Sequence, residues 1–290
     1  MPARSASLSC ALPPGRQTFV LLSELGELGL LHELERRGLA EGIENDAAEL
    51  GDGWVVTQDA LVEGVHFRMD WMSWRDLGYR AAAVNLSDLS AAGANPDGLI
   101  VSLGLPGETE LDDVLELYGG IGEAGVPVVG GDTTAADRVY LSVTAVGRSE
   151  RVPGRSGAKP GDLIVVTGPL GGAAAAFRHH RFIRPPLRSK EGRDLARFAH
   201  AMLDISDGLE QDLRHLADRS RVRCLVELER VPLADGAAIE DLGFGEDYEL
   251  LAAVPSEAYH VIGRCERGEG VELLRYGVPI ELGGWEHFSR

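Results

Sequence analysis

Short apolar runs with β character alternate with helical stretches along most of this sequence, and this alternation most restricts the folds open to it. The first half contains the runs WVVTQD, AAAVNLSDLSAAGA, GLIVSLGLP, VPVVGGDTT and VYLSVTAVGR, separated by helical stretches such as ELDDVLELYGGIGEAG. The second half continues the mixture, with DLIVVTG as a strand and LEQDLRHLADRS as an amphipathic helix. The pattern predicts an α/β or α+β fold.

A segment rich in glycine, proline and charge, RSERVPGRSGAKPG at residues 148–161, divides the chain. It predicts a boundary between two domains, 20–150 and 151–290, and two domains suit a chain of 290 residues. Residues 20–37 have helical spacing and predict one or two short helices. Residues 1–19 lack a long apolar run, so we expect a disordered N-terminus, with a transit or lipoprotein signal as the alternative.

The charge and cysteine content exclude several classes of partner. The chain has 28 lysines and arginines against 46 acidic residues, a net charge of −18. Without a positive field, binding to nucleic acid or to an anionic membrane is disfavoured. No apolar run reaches the roughly 18 residues that span a bilayer. Three widely spaced cysteines, Cys10, Cys224 and Cys265, favour a reduced, cytoplasmic protein over a disulfide framework or a cysteine-based zinc site.

One glycine-rich string imitates a dinucleotide-binding loop. GIGEAG at residues 120–125 matches GxGxxG, but it follows a helix and precedes the strand VPVV. A dinucleotide loop must instead follow a strand and open a helix, so this string is interpreted as the end of a helix. The sequence contains no GxxxxGK[ST], GxSxG or HExxH motif.

Aspartates recur at or near the ends of the apolar runs. Any one of them is explained at least as well by a helix cap or a turn. Six in similar positions favour a common site, because an α/β fold binds ligands where its strands end. The six residues are Asp46, Asp59, Asp88, Asp132, Asp204 and Asp207.

Electrostatics decide what such a site needs. Two carboxylates about 4 Å apart repel by about 4 kcal/mol at an effective dielectric near 20. Hard oxygen ligands select Mg²⁺, which binds a few carboxylates together with substrate phosphates. The aspartates therefore predict a site with several Mg²⁺ ions that serves phosphoryl transfer. Gly130 and Gly131 would let the backbone approach a phosphate, and Arg155 and Lys159 either clamp nucleotide phosphates or lie in a solvated loop.

Seven strings in a fixed order carry a family resemblance that runs from about residue 20 to the C-terminal WEHF. GIENDAAEL, TQDALVEGVHF, AVNLSDLSAAGANP, VVGGDTT, GRSGAKPGD, LDISDGLEQDL and GEDYELL resemble the thiamine-monophosphate kinases, which belong to the aminoimidazole-ribonucleotide synthetase (PurM-like) superfamily. The resemblance implies a two-domain PurM-like fold and a homodimer formed through the N-terminal domains. It also implies an ATP- and Mg²⁺-dependent kinase that converts thiamine phosphate to thiamine diphosphate, by direct in-line transfer since no covalent phosphate acceptor stands out.

The resemblance assigns roles to individual residues. The implied metal ligands are Asp46, Thr57, Gln58, Asp59, Asp88, Asp132, Asp204 and Asp207, of which Asp88, Asp132 and Asp207 are predicted to be catalytic. The implied nucleotide contacts are Gly131, Asp132, Arg155 and Ser206. The implied thiamine phosphate contacts are His66, Glu246 and Trp285. Each of these three has a structural alternative: a hydrogen-bonded histidine, a solvated acid before a strand, and a packing residue.

Two departures from the family pattern bear on the metal site. The family reads G-I-G-D-D where this chain has Gly42-Ile43-Glu44-Asn45-Asp46, and the family's T-D step is Gln58-Asp59 here. Because Asp46 and Asp59 remain, the number of metal ions is affected more than nucleotide binding. The alternatives are another ATP-dependent enzyme of the superfamily with a different acceptor, or a nucleotide-binding homologue with impaired catalysis.

Overall fold

The computed structural model describes residues 20–43 and 45–285. The predictions for residues 1–19, Glu44 and the C-terminal EHFSR therefore lie outside the described residues. The chain divides into a short unit that ends at Glu41 and a large unit, Gly42–Trp285. The short unit contains helix α1, Leu22–Arg36, which is kinked at Gly26 with φ of +70°. This agrees with the prediction of one or two short helices.

The first sheet of the large unit lies before residue 150 and has five strands. They are β1 (Ala48–Gly51), β2 (Trp54–Val62), β3 (Asn95–Leu105), β4 (Val128–Ala135) and β5 (Tyr140–Arg148). Their order is β1-β2-β5-β3-β4, and every pair is antiparallel except β3 and β4. Helix α2 (Trp74–Ala91) packs on β2 and β5, and helix α3 (Leu111–Glu123) packs on α2. The helix-covered face of this sheet forms one hydrophobic core.

The second sheet of the large unit has seven strands. They are β6 (Leu163–Val166), β7 (Ala201–Asp204), β8 (Arg223–Glu227), β9 (Leu250–Val254), β10 (His260–Glu266), β11 (Gly270–Arg275) and β12 (Val278–Ile280). Their order is β12-β11-β8-β10-β6-β9-β7, and β8 and β11 are the parallel pair. The helices are α4 (Gly172–Phe177), α5 (Ser189–Ala196) and α6 (Leu209–Ser220), with short 3₁₀ helices at Leu228–Arg230 and Ile239–Gly243.

These two mixed sheets with their helices confirm the predicted mixed α/β class. The domain boundary near residue 150 stays a prediction. Among the described residues, every helix is too short or too polar to cross a membrane.

Helix α2 corrects the interpretation of AAAVNLSDLSAAGA as a β-type run. Ser73 caps the helix by accepting the Asp76 N–H, and the helix continues to Ala91, so Asp88 lies in its last turn. Thirteen of the eighteen residues are buried. A helix buried on nearly every side gives the same continuous apolar run as a buried strand, and only its alanines, the best helix formers, distinguish the two. Asp59 and Asp132 also lie inside strands rather than at their ends, whereas Asp204 does end β7.

Helices α2 and α3 touch through their backbones. A Cβ atom on Gly78 would lie 1.9 Å from the Leu117 carbonyl oxygen, and one on Gly120 would lie 1.9 Å from the Arg75 carbonyl oxygen. Because real Cβ contacts are never this short, both positions require glycine. GIGEAG therefore serves helix packing at the end of α3, in agreement with its interpretation as a helix end.

Candidate active site

Four aspartates from separate segments form one carboxylate cluster. Oxygens of Asp46, Asp88 and Asp204 lie within 4.8 Å of one another. Asp59 shares a hydrogen bond with Asp88. These segments are the loop before β1, strand β2, helix α2 and the end of β7. The predicted convergence is therefore observed for these four residues, which we call the carboxylate cluster.

Hydroxyl groups complete the surroundings of the carboxylate cluster. Thr57 Oγ1 donates to Asp88 Oδ2 at 2.6 Å, and Ser87 Oγ donates to Asp204 Oδ2 at 2.5 Å. Thr57 and Asp59 are two residues apart in β2, so their side chains lie on the same face of the strand, the face toward α2. The strand and the helix thus aim their oxygens at the same point.

Burial and mutual repulsion raise the pKa values within the carboxylate cluster. The pKa of Asp59 is raised to about 6, mainly by burial and further by the charges of Asp46 and Glu246. Burial and the charge of Asp46 raise the pKa of Asp204 to about 8. The pKa of Asp88 lies well above its ordinary value, because of burial and the charges of Asp59 and Asp204. At neutral pH Asp88 and Asp204 therefore favour a bound proton or a nearby cation.

Arg155 binds the outer side of the cluster. Its Nε and Nη2 donate to Asp46 Oδ1 at 2.8 and 2.5 Å. The charge of Asp46 raises the pKa of this guanidinium above its ordinary value. The backbone N–H of Arg155 donates to Asn45 Oδ1 at 2.9 Å. The amide that replaces the family's acid thus binds the Arg155 loop, and the predicted nucleotide contact is already paired with a predicted metal ligand.

A second group of candidate ligands lies at the start of α6. Oxygen or nitrogen atoms of Asp207, Asp212 and His215 lie within 4.8 Å of one another. Asp212 Oδ2 accepts the Asp207 N–H at 3.1 Å, and burial raises the pKa of Asp212 well above its ordinary value. Burial and the charge of Arg155 lower the pKa of His215 to about 4, so its ring is neutral at pH 7. Sequence reasoning missed Asp212 and His215, although their i, i+3 spacing on a helix was visible.

Asp132 is not brought to the carboxylate cluster within one chain. Three strand spacings separate β4 from β2, which is about 14 Å at about 4.8 Å per spacing. Asp132 pairs with Ser102 and Ser102 with Ser142, whereas Asp59 pairs with Val143. Because neighbouring residues of a strand face opposite sides, Asp132 and Asp59 point to opposite faces of the sheet.

Two other predicted positions also have structural reasons for their residue types. Gln58 Nε2 donates to Ser142 Oγ at 2.9 Å, and Thr144 Oγ1 donates to Gln58 Oε1 at 3.0 Å. The Gln58 side chain thus lies on the sheet face away from the cluster. A Cβ atom on Gly131 would lie 2.0 Å from the Val101 carbonyl oxygen, so the pairing of β4 with β3 itself requires glycine there.

Glu246 is held in a strained backbone segment beside the cluster. Glu246 and Tyr248 have φ of +62° and +51°, and each such non-glycine residue costs about 1–3 kcal/mol. Their backbone N–H groups donate at 2.9 Å to the carbonyls of Ser206 and Ile205, which follow Asp204. The residues just before β9 are therefore irregular, and the strand begins only at Leu250. These two backbone hydrogen bonds hold Glu246 beside the predicted nucleotide contact Ser206, in spite of the strain.

Arg80 connects two predicted substrate contacts. Its Nη1 donates to the His66 carbonyl oxygen and its Nη2 to Glu246 Oε2, both at 2.5 Å. The Val62 N–H donates to His66 Nδ1 at 3.0 Å, which leaves the ring proton on Nε2 in the neutral form. Sequence reasoning missed Arg80, because a single arginine in an alanine-rich stretch carries no motif.

Trp285, the third predicted substrate contact, is the last described residue. Its backbone N–H donates to the Asp207 carbonyl oxygen at 2.9 Å. The side chain is half exposed, at 52%. The C-terminal segment is thus attached to the group at the start of α6, and the indole lies at the surface.

Comparisons with known proteins identify the family of this chain. A family model, AIR synthase related protein, N-terminal domain, matches residues 44–149. The thiamine-monophosphate kinase of Aquifex aeolicus (strain VF5) is 34% identical over 92% of this chain and 99% of its own length. That of Pyrococcus abyssi (strain GE5 / Orsay) is 34% identical over 83% of this chain and 88% of its own. The solved structure of AaThiL complexed with AMPPCP and TMP has a TM-score of 0.85 and 33% identity, and covers 93% of this chain and 99% of that one. The chain therefore belongs to the thiamine-monophosphate kinase family.

Proposed function

We propose that this protein transfers the γ-phosphoryl group of ATP to thiamine monophosphate and forms thiamine diphosphate in an Mg²⁺-dependent reaction. The observation that carries the proposal is the carboxylate cluster, which joins four segments of a chain from this kinase family. The solved relative AaThiL is complexed with AMPPCP, an ATP analogue, and with TMP, which supports the same pair of substrates here.

The donor set suits magnesium. Asp46, Asp59, Asp88 and Asp204 offer only hard oxygen atoms, and the raised pKa values of three of them mark a place where positive charge is missing. These residues would hold the ions, with Asp207 as a further ligand from the neighbouring group. Bound there, Mg²⁺ would neutralise the phosphates of two substrates that otherwise repel each other.

The side chains around the cluster position the substrates. Arg155, which binds Asp46, and Ser206, which follows the end of β7, would contact the nucleotide. His66 would contact a phosphate oxygen of thiamine monophosphate, and Glu246 can accept a hydrogen bond from the aminopyrimidine. The indole of Trp285 can stack on a cationic heterocycle, which contributes about 0.5–2 kcal/mol. A phosphate oxygen of thiamine monophosphate then attacks the γ-phosphorus in line, and ADP leaves.

A homodimer completes the proposal. All eight residues of β4 are exposed, including Val128 and Val129, and Val129 is 65% exposed. Ile100 and Tyr140, on neighbouring strands, are also exposed. An edge strand with exposed apolar side chains is a template for association. We infer that a second copy covers this sheet, and that Asp132 then serves the carboxylate cluster of the partner subunit.

The stability of the metal-free protein should fall as the pH rises from about 4 to about 8. Asp59 and Asp204 have pKa values of about 6 and about 8 in the folded protein, so the native state binds more protons than the unfolded state in this range. The stability that these protonated carboxyls contribute is fully present below the pKa of an unfolded aspartate. It is lost as the pH rises through the pKa values of Asp59 and Asp204 in the folded protein. Mg²⁺ should therefore raise Tm most near pH 8 and least near pH 5.

Thermal unfolding in Mg²⁺ and in EDTA, at about pH 5, 6.5 and 8, measures this effect. Asp204→Asn is the matched variant, and its Tm in EDTA should depend less on pH than that of the wild type. A Tm that ignores Mg²⁺ at every pH would contradict the proposed role of the carboxylate cluster.

The function itself is tested by coupled ADP release with thiamine monophosphate, with unphosphorylated thiamine and with aminoimidazole-type acceptors. We expect ADP only with thiamine monophosphate, and thiamine diphosphate as the product by mass spectrometry. ADP with another acceptor alone would favour a different enzyme of the superfamily. Tight binding of ATP·Mg²⁺ without any ADP would favour a homologue with impaired catalysis.

A further inference from the structure

Arg80 is a buried cation that contacts two of the predicted substrate contacts, His66 and Glu246. Its side chain is only 5% exposed. Besides the His66 carbonyl and Glu246 Oε2, its guanidinium is hydrogen-bonded to the side chain of Tyr248, and its Nε is buried without a partner among the described residues. Two fixed acceptors, His66 and Tyr248, thus orient a group whose remaining contact is the Glu246 carboxylate.

We propose that Arg80 is a positioning residue for thiamine monophosphate and that it acts by fixing the Glu246 carboxylate. This inference rests on the proposed function. The guanidinium is a planar fork that can reach two acceptors in separate directions, which a lysine ammonium on a flexible stem cannot reproduce. Anchored to the His66 carbonyl, Arg80 sets where the carboxylate of Glu246 stands for the incoming substrate.

Electrostatics give Arg80 a second reason to control Glu246. Glu246 is an acid beside the acidic cluster, and its ion pair with the buried Arg80 guanidinium balances its charge. Without Arg80, the Glu246 carboxylate would face the acidic cluster unbalanced. Because its side chain is 32% exposed, it could then turn toward solvent and away from the substrate.

The surrounding fold does not depend on Arg80 alone. The Trp71 ring lies 5.2 Å from that of Phe177, and Phe177 lies 5.0 Å from Phe244, between ring centroids. These rings join the segment after His66 to the segment before Glu246 a second time. Loss of Arg80 should therefore misplace one carboxylate rather than separate the two segments.

The test compares purified Arg80→Met, Arg80→Lys, Glu246→Ala and the double variant Arg80→Met/Glu246→Ala with the wild type. Arg75→Met, on the exposed side of the same helix, is the matched control. The measurements are Tm, kcat, and KM for ATP and for thiamine monophosphate. We expect Arg80→Met to raise the KM for thiamine monophosphate about tenfold or more, with a smaller rise in Arg80→Lys and little change in the KM for ATP.

If Arg80 acts through Glu246, the double variant should bind thiamine monophosphate about as weakly as Glu246→Ala alone. Additive losses, equal losses for both substrates, or an unchanged KM for thiamine monophosphate would overturn the inference. Should Arg80→Met fail to fold, an unchanged KM in Arg80→Lys overturns it and a selective rise of about threefold supports it. A wild type that makes no thiamine diphosphate refutes the proposed function, and this inference with it.

Discussion

Asp88→Asn should lower kcat by about a thousandfold while the protein stays folded. Asp88 contacts Thr57 and Asp59 and lies within 4.8 Å of Asp46 and Asp204, so one amide here removes charge from the centre of the carboxylate cluster. The same change relieves repulsion between buried carboxylates. In EDTA near pH 8 the variant should therefore have a higher Tm than the wild type, an exchange of stability against activity.

The measurements are the rate of ADP release with saturating thiamine monophosphate and thermal unfolding with and without Mg²⁺. Asp112→Asn, an exposed acid in the first turn of α3, makes the same change of charge away from the site and should keep full activity. Turnover of Asp88→Asn above about a tenth of the wild-type value would contradict the proposed role of Asp88.

Purified mixed dimers of Asp88→Asn and Asp132→Asn should have about half of the wild-type activity, although each variant alone is inactive. If Asp132 serves the partner's site, one of the two sites in a mixed dimer contains both wild-type aspartates. An unpurified mixture formed by random exchange, in which about half of the dimers are mixed, should reach only about a quarter. The register of the first sheet, which puts Asp132 and Asp59 on opposite faces, is the reason for this expectation.

Co-expression with two different affinity tags isolates the mixed dimers for assay. Asp88→Asn mixed with Asp204→Asn is the matched control, because both residues belong to the same cluster and no site in that dimer is fully intact. Purified mixed dimers that remain inactive would show that Asp132 does not act across the interface.

The motif order predicted more of this protein than the local patterns did. The PurM-like fold and the kinase family are confirmed, because seven ordered strings constrain a chain far more than any one of them. The turn between β11 and β12, where Tyr276 and Gly277 both have positive φ, is an element that a local glycine signal does indicate. Convergence of Asp46, Asp59, Asp88 and Asp204 was predicted from their similar positions beside apolar runs.

What could not be predicted depends on contacts distant in sequence. Helix α2 resembled a strand because burial on all sides erases the amphipathic period. The face on which Asp132 lies depends on the register of four strands, which no local pattern encodes. Arg80 binds Glu246 across 166 residues of sequence, so neither residue signals the other.

Helix α2 carries both Arg80 and Asp88, eight residues apart, and so fixes the distance between their backbone positions. At 1.5 Å per residue the interval is about 12 Å, and a stiff helix keeps it constant. Under the proposed function, this spacing sets the distance between Glu246, which Arg80 holds, and the carboxylate cluster, and so the length of acceptor that fits between them. Longer loops elsewhere in the chain would leave this distance unchanged. One residue inserted between Arg80 and Asp88 would instead rotate Arg80 by about 100° around the helix axis relative to Asp88.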